Sequence, residues 1–479
     1  MKRRRKSDMT QPPGSLTEAA KALRSGAMTS EVMVQQCLSV IDRFDHQLHA
    51  FVDVYREEAL ACARAMDCMA GAGQFLGPLH GIPIAVKDLF EIEGRPITGG
   101  SSATEPRSST ITATAVQRLR QAGAIVIGKT HTVEYAFGGW GTNATMGTPW
   151  NPWDLQTHRV PGGSSSGSAV AVASGMCLAA LGTDTGGSVR IPAGLCGLVG
   201  LKTTHGLVSR YGLLALCPTH DTVGPITHTV EDAALMLDAM AGPDANDPAS
   251  MLSTMQRTER QLGSGVVGIR VGVLPQKERF GMGEDVLTAY DRALNNLAEL
   301  GATLVDAPLP DSLENYMVMA GALMSAEGYA NLGSLFEQDL AFDPHVKERI
   351  LRGKSISVGA YLELQEQRLQ AQKAVACAME FIDVLAYPTN AISAIPVAQV
   401  DERATPLSRL GRFVNLLNLC SVAVPAGLSK QGLPVSMQIV GPAGHEGLIL
   451  RLGHAYQQAT GWHVLRPVGL ASAAVAGAS

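Results

Sequence analysis

No two of the eight cysteines form a C-x-x-C pair, and most lie among apolar neighbours, so neither a zinc ribbon nor a disulfide framework is indicated. Buried thiols in a reducing compartment are the plain reading, and a cytoplasmic location is expected. Aromatic residues make up only 5% of the 479-residue chain and charged residues 17%. Basic residues are outnumbered: the formal net charge is −5 and the isoelectric point near 6.2, which gives no footprint for phosphate backbones. Long apolar runs are missing too. The nearest, residues 169–181, is broken by Ser174 and Gly175 and falls short of the ~18 residues of a membrane span. Neither nucleic acid nor membrane is therefore an expected partner.

What the chain does have is small residues, with hydrophobics at 46% and 51 glycines, enough for a large α/β core. The basic run Lys2-Arg3-Arg4-Arg5-Lys6 lacks the apolar stretch of an export signal, and residues 1–14 read as a disordered tail. Residues 15–470 read as a single unit, with a helical or α/β subdomain within 241–380, and 471–479 as a flexible tail. Helical patterns alternate with apolar strand patterns. Ser15-Leu16-Thr17-Glu18 is a capping box, Thr29 opens a second helix, and 51–54, 83–87 and 124–129 read as strands around helices at 57–69 and 114–121. Further helices are expected at 230–240, 286–300 and 446–460, with strands at 270–274, 302–305, 382–388 and 435–440. The expected fold is a large mixed, mostly parallel sheet covered by helices on both faces.

Chemistry concentrates in residues 159–202, where two hydroxyl clusters, Ser164-Ser165-Ser166 and Thr183 to Ser188, flank a small-residue apolar run. A helix followed by a strand would fold them together. Gly163-Ser164-Ser165-Ser166-Gly167 matches G-x-S-x-G, but Pro161-Gly162-Gly163 is a poor strand end for a nucleophile elbow at Ser165. Asp184-Thr185-Gly186-Gly187-Ser188 follows a strand pattern, and its small residues let successive amides face one point, as an oxyanion hole requires. No G-x-x-x-x-G-K-[ST] is present to make it a phosphate loop. A serine hydroxyl needs a base. Lys87 ends an apolar strand, where it is either paired with Asp88 or held near hydroxyls with a lowered pKa. Spacing alone does not select Lys87, Ser164 and Ser188 over other hydroxyls.

Gly81-Ile82-Pro83-Ile84-Ala85-Val86-Lys87-Asp88, Pro161-Gly162-Gly163-Ser164-Ser165 and Gly182 to Pro192 resemble the successive hallmarks of the amidase signature family. The resemblance runs on to Gly432-Leu433-Pro434-Val435 and Val440-Gly441-Pro442. It implies a triad in which Ser188 attacks an amide, Ser164 follows a cis peptide bond and relays protons, and Lys87 is the base. It also implies an oxyanion hole of the Thr185, Gly186, Gly187 and Ser188 amides, braced by Asp184 and Arg190, with Ser165 in support. Ser166 departs from the glycine that many members carry. Gly138, Gly139 and Trp140 are the expected substrate-binding residues. Trp140, Trp150 and Trp153 either wall a pocket for an aryl or apolar group or serve as packing; a small urea-derived amide also fits. The resemblance implies no cofactor and no metal, a small-molecule amide substrate, and is compatible with a homodimer. The alternative it leaves open is the A-type glutaminase component of a tRNA-dependent amidotransferase complex. Gly128-Lys129-Thr130 fits both readings, whereas His131-Thr132-Val133-Glu134-Tyr135 departs from the N-M-D-E-F usual in such components.

Overall fold

The computed structural model describes residues 14–254 and 257–470. The expected tails at 1–14 and 471–479 lie outside the described residues, save Gly14. Thirteen strands follow in chain order: β1 (Phe51–Val54), β2 (Pro83–Lys87), β3 (Pro96–Ile97), β4 (Arg107–Ser108), β5 (Ile125–Thr130), β6 (Ala179–Asp184), β7 (Val199–Lys202), β8 (Thr222–Thr227), β9 (Arg270–Val273), β10 (Thr303–Asp306), β11 (Val384–Pro388), β12 (Cys420–Leu428) and β13 (Pro434–Gly441). Eleven of them form one sheet in the order β1-β5-β2-β6-β8-β7-β12-β13-β11-β9-β10, while β3 and β4 pair separately.

Parallel pairing occurs in two groups, β5-β2-β6 and β11-β9-β10. Antiparallel pairs join the two groups and attach β1 at one edge. The sheet is mixed because β7 and β8, and β12 and β13, are each joined by a return that reverses direction, whereas β2 to β5, β5 to β6 and β9 to β10 run through helical crossovers. Every residue of β2, β5, β6, β7, β8, β11 and β13 is buried, so both faces of the sheet are covered. Helices Ser166–Ala173 and Arg190–Leu195 touch each other and the central strands. Helices Val230–Met240, Glu284–Glu299 and Glu446–Thr460 form a second packed group against β8, β11, β12 and β13.

Local chemistry explains the ends. Ser15 accepts from the Glu18 amide at 3.1 Å to start helix Leu16–Arg24, and Glu18 Oε2 accepts from the Gly14 amide at 3.0 Å rather than closing the box on Ser15. Residues 241–380, expected to hold a subdomain, give β9 and β10 to the common sheet and, among the described residues, four α-helices, Glu284–Glu299, Leu313–Phe336, Pro344–Leu351 and Val358–Ala378.

Strand β8 carries Gly224-Pro225 in its centre. A Cβ on Gly224 would stand 1.9 Å from the Leu201 carbonyl oxygen of β7, which leaves no room for any side chain. Gly224→Ala should therefore lower the melting temperature well below that of Gly263→Ala, whose added Cβ meets nothing within 4 Å; overpacking of this kind costs about 1–3 kcal/mol. Equal melting curves would rule out the close approach.

Candidate active site

The two hydroxyl clusters meet as their sequence suggested. Helix Ser166–Ala173 runs back from the first cluster, and β6 returns to the second. Ser165 locks them together: its amide donates to the Ser188 carbonyl at 3.2 Å, and its Oγ lies 3.3 Å from both the Thr183 amide and the Thr183 carbonyl. Ser165 is fully buried and is a brace, not a nucleophile. The Gly163–Ser164 peptide is cis, and the Ser164 carbonyl accepts from the Val133 amide at 3.1 Å.

Lys87 sits at the end of β2 with no solvent exposure. Its Nζ donates to Ser164 Oγ at 2.7 Å and to Thr183 Oγ1 at 2.8 Å. Asp88 is not its partner. That carboxylate points away, bound to Lys129 Nζ at 2.9 Å and to the Thr98 amide at 3.0 Å. Burial pushes the Lys87 pKa down to about 7, against the attraction of Asp184 and Asp221. The lysine is thus poised to be a neutral amine near neutral pH.

Asp184 ends β6 and organises the loop that follows. Its Oδ1 accepts from the Gly187 amide at 2.8 Å, and its Oδ2 from the Val189 amide at 3.1 Å. Arg190 clasps the same carboxylate through Nε and Nη2, each at 3.0 Å. Burial alone would raise the Asp184 pKa, but the guanidinium and the amides outweigh it and hold the carboxyl well below the usual carboxylate range. Arg190 also donates to Gln438 on β13, to Asn415 and to the Gly411 carbonyl.

This clasp alters one expectation. The Gly187 amide is already engaged by Asp184, so it does not turn toward the space beside Ser188 with the others. The amides of Thr185, Gly186 and Ser188 are not drawn into the clasp. Thr185 is steadied by its hydroxyl, which donates to Asp221 Oδ1 at 2.6 Å. Burial pushes the Asp221 pKa up to about 6.

Ser188 is 8% exposed and lines a cavity of about 20 Å3 together with Gly138, Gly139, Gly186, Met324, Ser408 and Arg412. A larger cavity of about 500 Å3 adjoins it, and the two share Phe137, Arg349, Thr405 and Arg412 as walls. Gly138 and Gly139 line the small cavity at Ser188, whereas Trp140 lines neither cavity. It is 4% exposed, and its Nε1 donates to the Asp401 and Ala404 carbonyls at 3.2 and 3.1 Å. Trp150 stacks on His158 at 4.4 Å and donates to the Asp154 carbonyl at 2.6 Å, and Trp153 donates to the Cys196 carbonyl at 2.8 Å. Each N–H is spent on a backbone carbonyl, and none of the three tryptophans lines either of these two cavities.

Thr183, Asp221, Arg349 and Arg412 are the site residues that sequence reasoning missed. Thr183 was accessible in principle, since it follows Leu181 by two residues on a strand whose Leu181 pairs with Val86, next to Lys87. The arginines lie far along the chain and carry no local signal. Among the described residues one group, Cys217, His220 and Glu327, places possible metal-ligand atoms within 4.8 Å of one another. Two of its members meet, Cys217 Sγ lying 3.2 Å from His220 Nδ1, while Glu327 is engaged from outside the group by Thr219 Oγ1, which donates to it at 2.6 Å. Burial raises the Cys217 pKa well above its ordinary value, which favours the neutral thiol over a thiolate ligand.

A mixed sheet that brings a buried lysine onto a serine, beside a second serine on an amide-rich loop, defines an amide-cleaving enzyme of the serine type. The chain belongs to the amidase signature family: the Amidase family model matches residues 32–450. The A-type component of the glutamyl-tRNA(Gln) amidotransferase of Chloroflexus aggregans is 38% identical over 95% of this chain and 98% of its own. A solved structure tied to a vestigial protein complex and the origins of an s-triazine catabolic enzyme aligns at TM-score 0.86 and 33% identity, covering 93% of this chain and 98% of its own. A bacterial aryl acylamidase aligns at TM-score 0.85 and 27% identity, covering 95% and 98%.

The buried Asp184–Arg190 pair yields a direct test. Removing one partner strands the other's charge, which costs about 3–5 kcal/mol. Arg190→Met should therefore show a large drop in melting temperature and soluble yield. A variant that melts like the parent would show that the loop does not depend on the pair.

Proposed function

We propose that the protein hydrolyses a carboxamide through an acyl-enzyme on Ser188. The observation that carries this reading is the 2.7 Å contact between Lys87 Nζ and Ser164 Oγ, made by a lysine that burial brings to a pKa of about 7. With Nζ neutral, that contact runs in reverse and Ser164 donates to the amine. Ser164 then passes its own proton to Lys87 Nζ and takes the Ser188 proton as Ser188 Oγ bonds to the substrate carbonyl carbon. The developing oxyanion lies toward the amides of Thr185, Gly186 and Ser188. Collapse of the intermediate breaks the C–N bond, and the proton returns through Ser164 to the leaving ammonia or amine. Water, activated along the same path, releases the carboxylic acid and free Ser188.

A second reading is favoured by the relatives. The name of the Chloroflexus aggregans protein supports glutamine as the amide, with ammonia passed to a partner, more directly than a free-standing aryl amidase. The tryptophans that suggested an aryl substrate line neither of the two cavities, so they lend that substrate no support. Glutamine hydrolysis that rises on adding a co-purifying partner protein is what this second reading requires. Full activity of the isolated chain on other amides, with none on glutamine, would remove it.

Two measurements test the mechanism. Ser188→Ala should abolish turnover with an unchanged melting temperature, and near-normal activity in it would sink the acyl-enzyme. The base form of Lys87 exists above its pKa of about 7, so kcat/KM should rise with pH up to about 7 and level off beyond. A profile flat from pH 5.5 to 8.5 would exclude Lys87 as the base.

A further inference from the structure

The chain as a whole is acidic, with a formal net charge of −5, yet the large cavity outside Ser188 is lined by four arginines and two glutamates. Both glutamates are taken. Glu402 holds Arg349 at 2.7 Å, and Glu348 holds Arg352 at 2.6 Å. Of the remaining two, Arg403 is exposed, where water screens it. Arg412 is different.

Arg412 is half-buried and lines both the large cavity and the small one at Ser188. It makes no ion pair among the described residues, and its one side-chain hydrogen bond there is a long one, Nη1 to the Met317 carbonyl at 3.4 Å. A guanidinium has five N–H donors, so most of its capacity is unspent. Burial, and then repulsion from Arg349, lower its pKa to about 10 against the attraction of Glu314, which makes no ion pair with it, and this leaves Arg412 a cation at neutral pH. The side chain lies against the oxyanion loop: a Cβ on Gly186 would meet Arg412 Cγ at 3.0 Å and Nε at 3.8 Å. A desolvated cation without a counter-ion is unfavourable unless something else supplies the charge. The open side of this one is the substrate cavity.

We propose that the amide cleaved at Ser188 carries a carboxylate, and that Arg412 binds this carboxylate as the specificity-determining anchor. The planar fork of the guanidinium suits bidentate pairing with a carboxylate. Because Arg412 packs against Gly186, two residues from Ser188, the spacer between carboxylate and scissile amide is short, as in the half-amide of a small dicarboxylic acid. The small cavity, at about 20 Å3, takes little beyond the amide head itself. This inference rests on the Ser188 reading and holds whether the physiological amide is glutamine, which also bears a carboxylate, or a simpler acid amide.

The test compares glutaramate with its neutral counterpart glutaramide, by calorimetric binding to Ser188→Ala, which needs no turnover. Glutaramate should bind roughly 10- to 100-fold more tightly, the range of a charge-assisted pair. Adding Arg412→Met should bring the two ligands within about twofold of each other. Adding Arg412→Lys, which keeps the charge, should retain part of the preference. No preference in Ser188→Ala alone, including no detectable binding of either ligand, overturns the proposal without recourse to the arginine variants. A clear preference for glutaramate together with unimpaired hydrolysis by Ser188→Ala would uphold the anchor and overturn the acyl-enzyme instead.

Discussion

The catalytic loop depends on one buried ion pair. Asp184 takes charge-assisted bonds from Arg190 and from the loop's own amides, and Arg190 reaches on to Gln438, Asn415 and Gly411. A pair of this kind contributes little net stability against an apolar replacement, because desolvation consumes the Coulomb gain. What it supplies is position. Three elements distant in sequence, the end of β6, strand β13 and helix Arg412–Leu416 with its preceding Gly411, are tied to one ion pair, and the turn bearing Ser188 is held between them. The Gly187 amide is spent in doing so.

Three lysines lie buried in the central sheet, and the protein treats each differently. Lys129 is given a carboxylate, Asp88, at 2.9 Å. Lys202 is given the Thr203 and Leu419 carbonyls at 2.9 and 2.5 Å, and burial lowers its pKa to about 8. Lys87 is given only hydroxyls. Hydroxyl oxygens stabilise a cation less than a carboxylate does, and they can donate as well as accept. Lys87 is therefore the one whose proton can leave and return through its partner, and the nearby Asp88 is kept from it by Lys129.

The meeting of the two hydroxyl clusters was legible because small residues and hydroxyls in a fixed local pattern imply close backbone approach, and family resemblance then singled out Ser164 and Ser188 among the serines. Strand β8 was not legible: Gly224-Pro225 reads as a turn, and proline is rare in central strands. Tertiary contact overrides that rule, since the Leu201 carbonyl occupies the place where a side chain would stand. Trp140 failed as a pocket residue for a related reason. Its position beside Gly138 and Gly139 is correct, but the direction of its side chain is set by the Asp401 and Ala404 carbonyls, over 250 residues away.

Reactivity and selectivity are thus written in different parts of the chain. Lys87, Ser164, Thr183, Asp184 and Ser188 come from strand ends and tight loops of the sheet, where register and burial leave little freedom. The walls that a substrate meets beyond the amide come from helices Leu313–Phe336, Pro344–Leu351 and Arg412–Leu416, and from the loop around Thr405. Helix faces and loops accept substitution without disturbing strand register. The same fold is shared with an aryl acylamidase at 27% identity and with a protein tied to s-triazine catabolism at 33%. Under the function proposed above, the charge and shape of the helical wall, rather than Lys87, Ser164 and Ser188, are what specify the substrate.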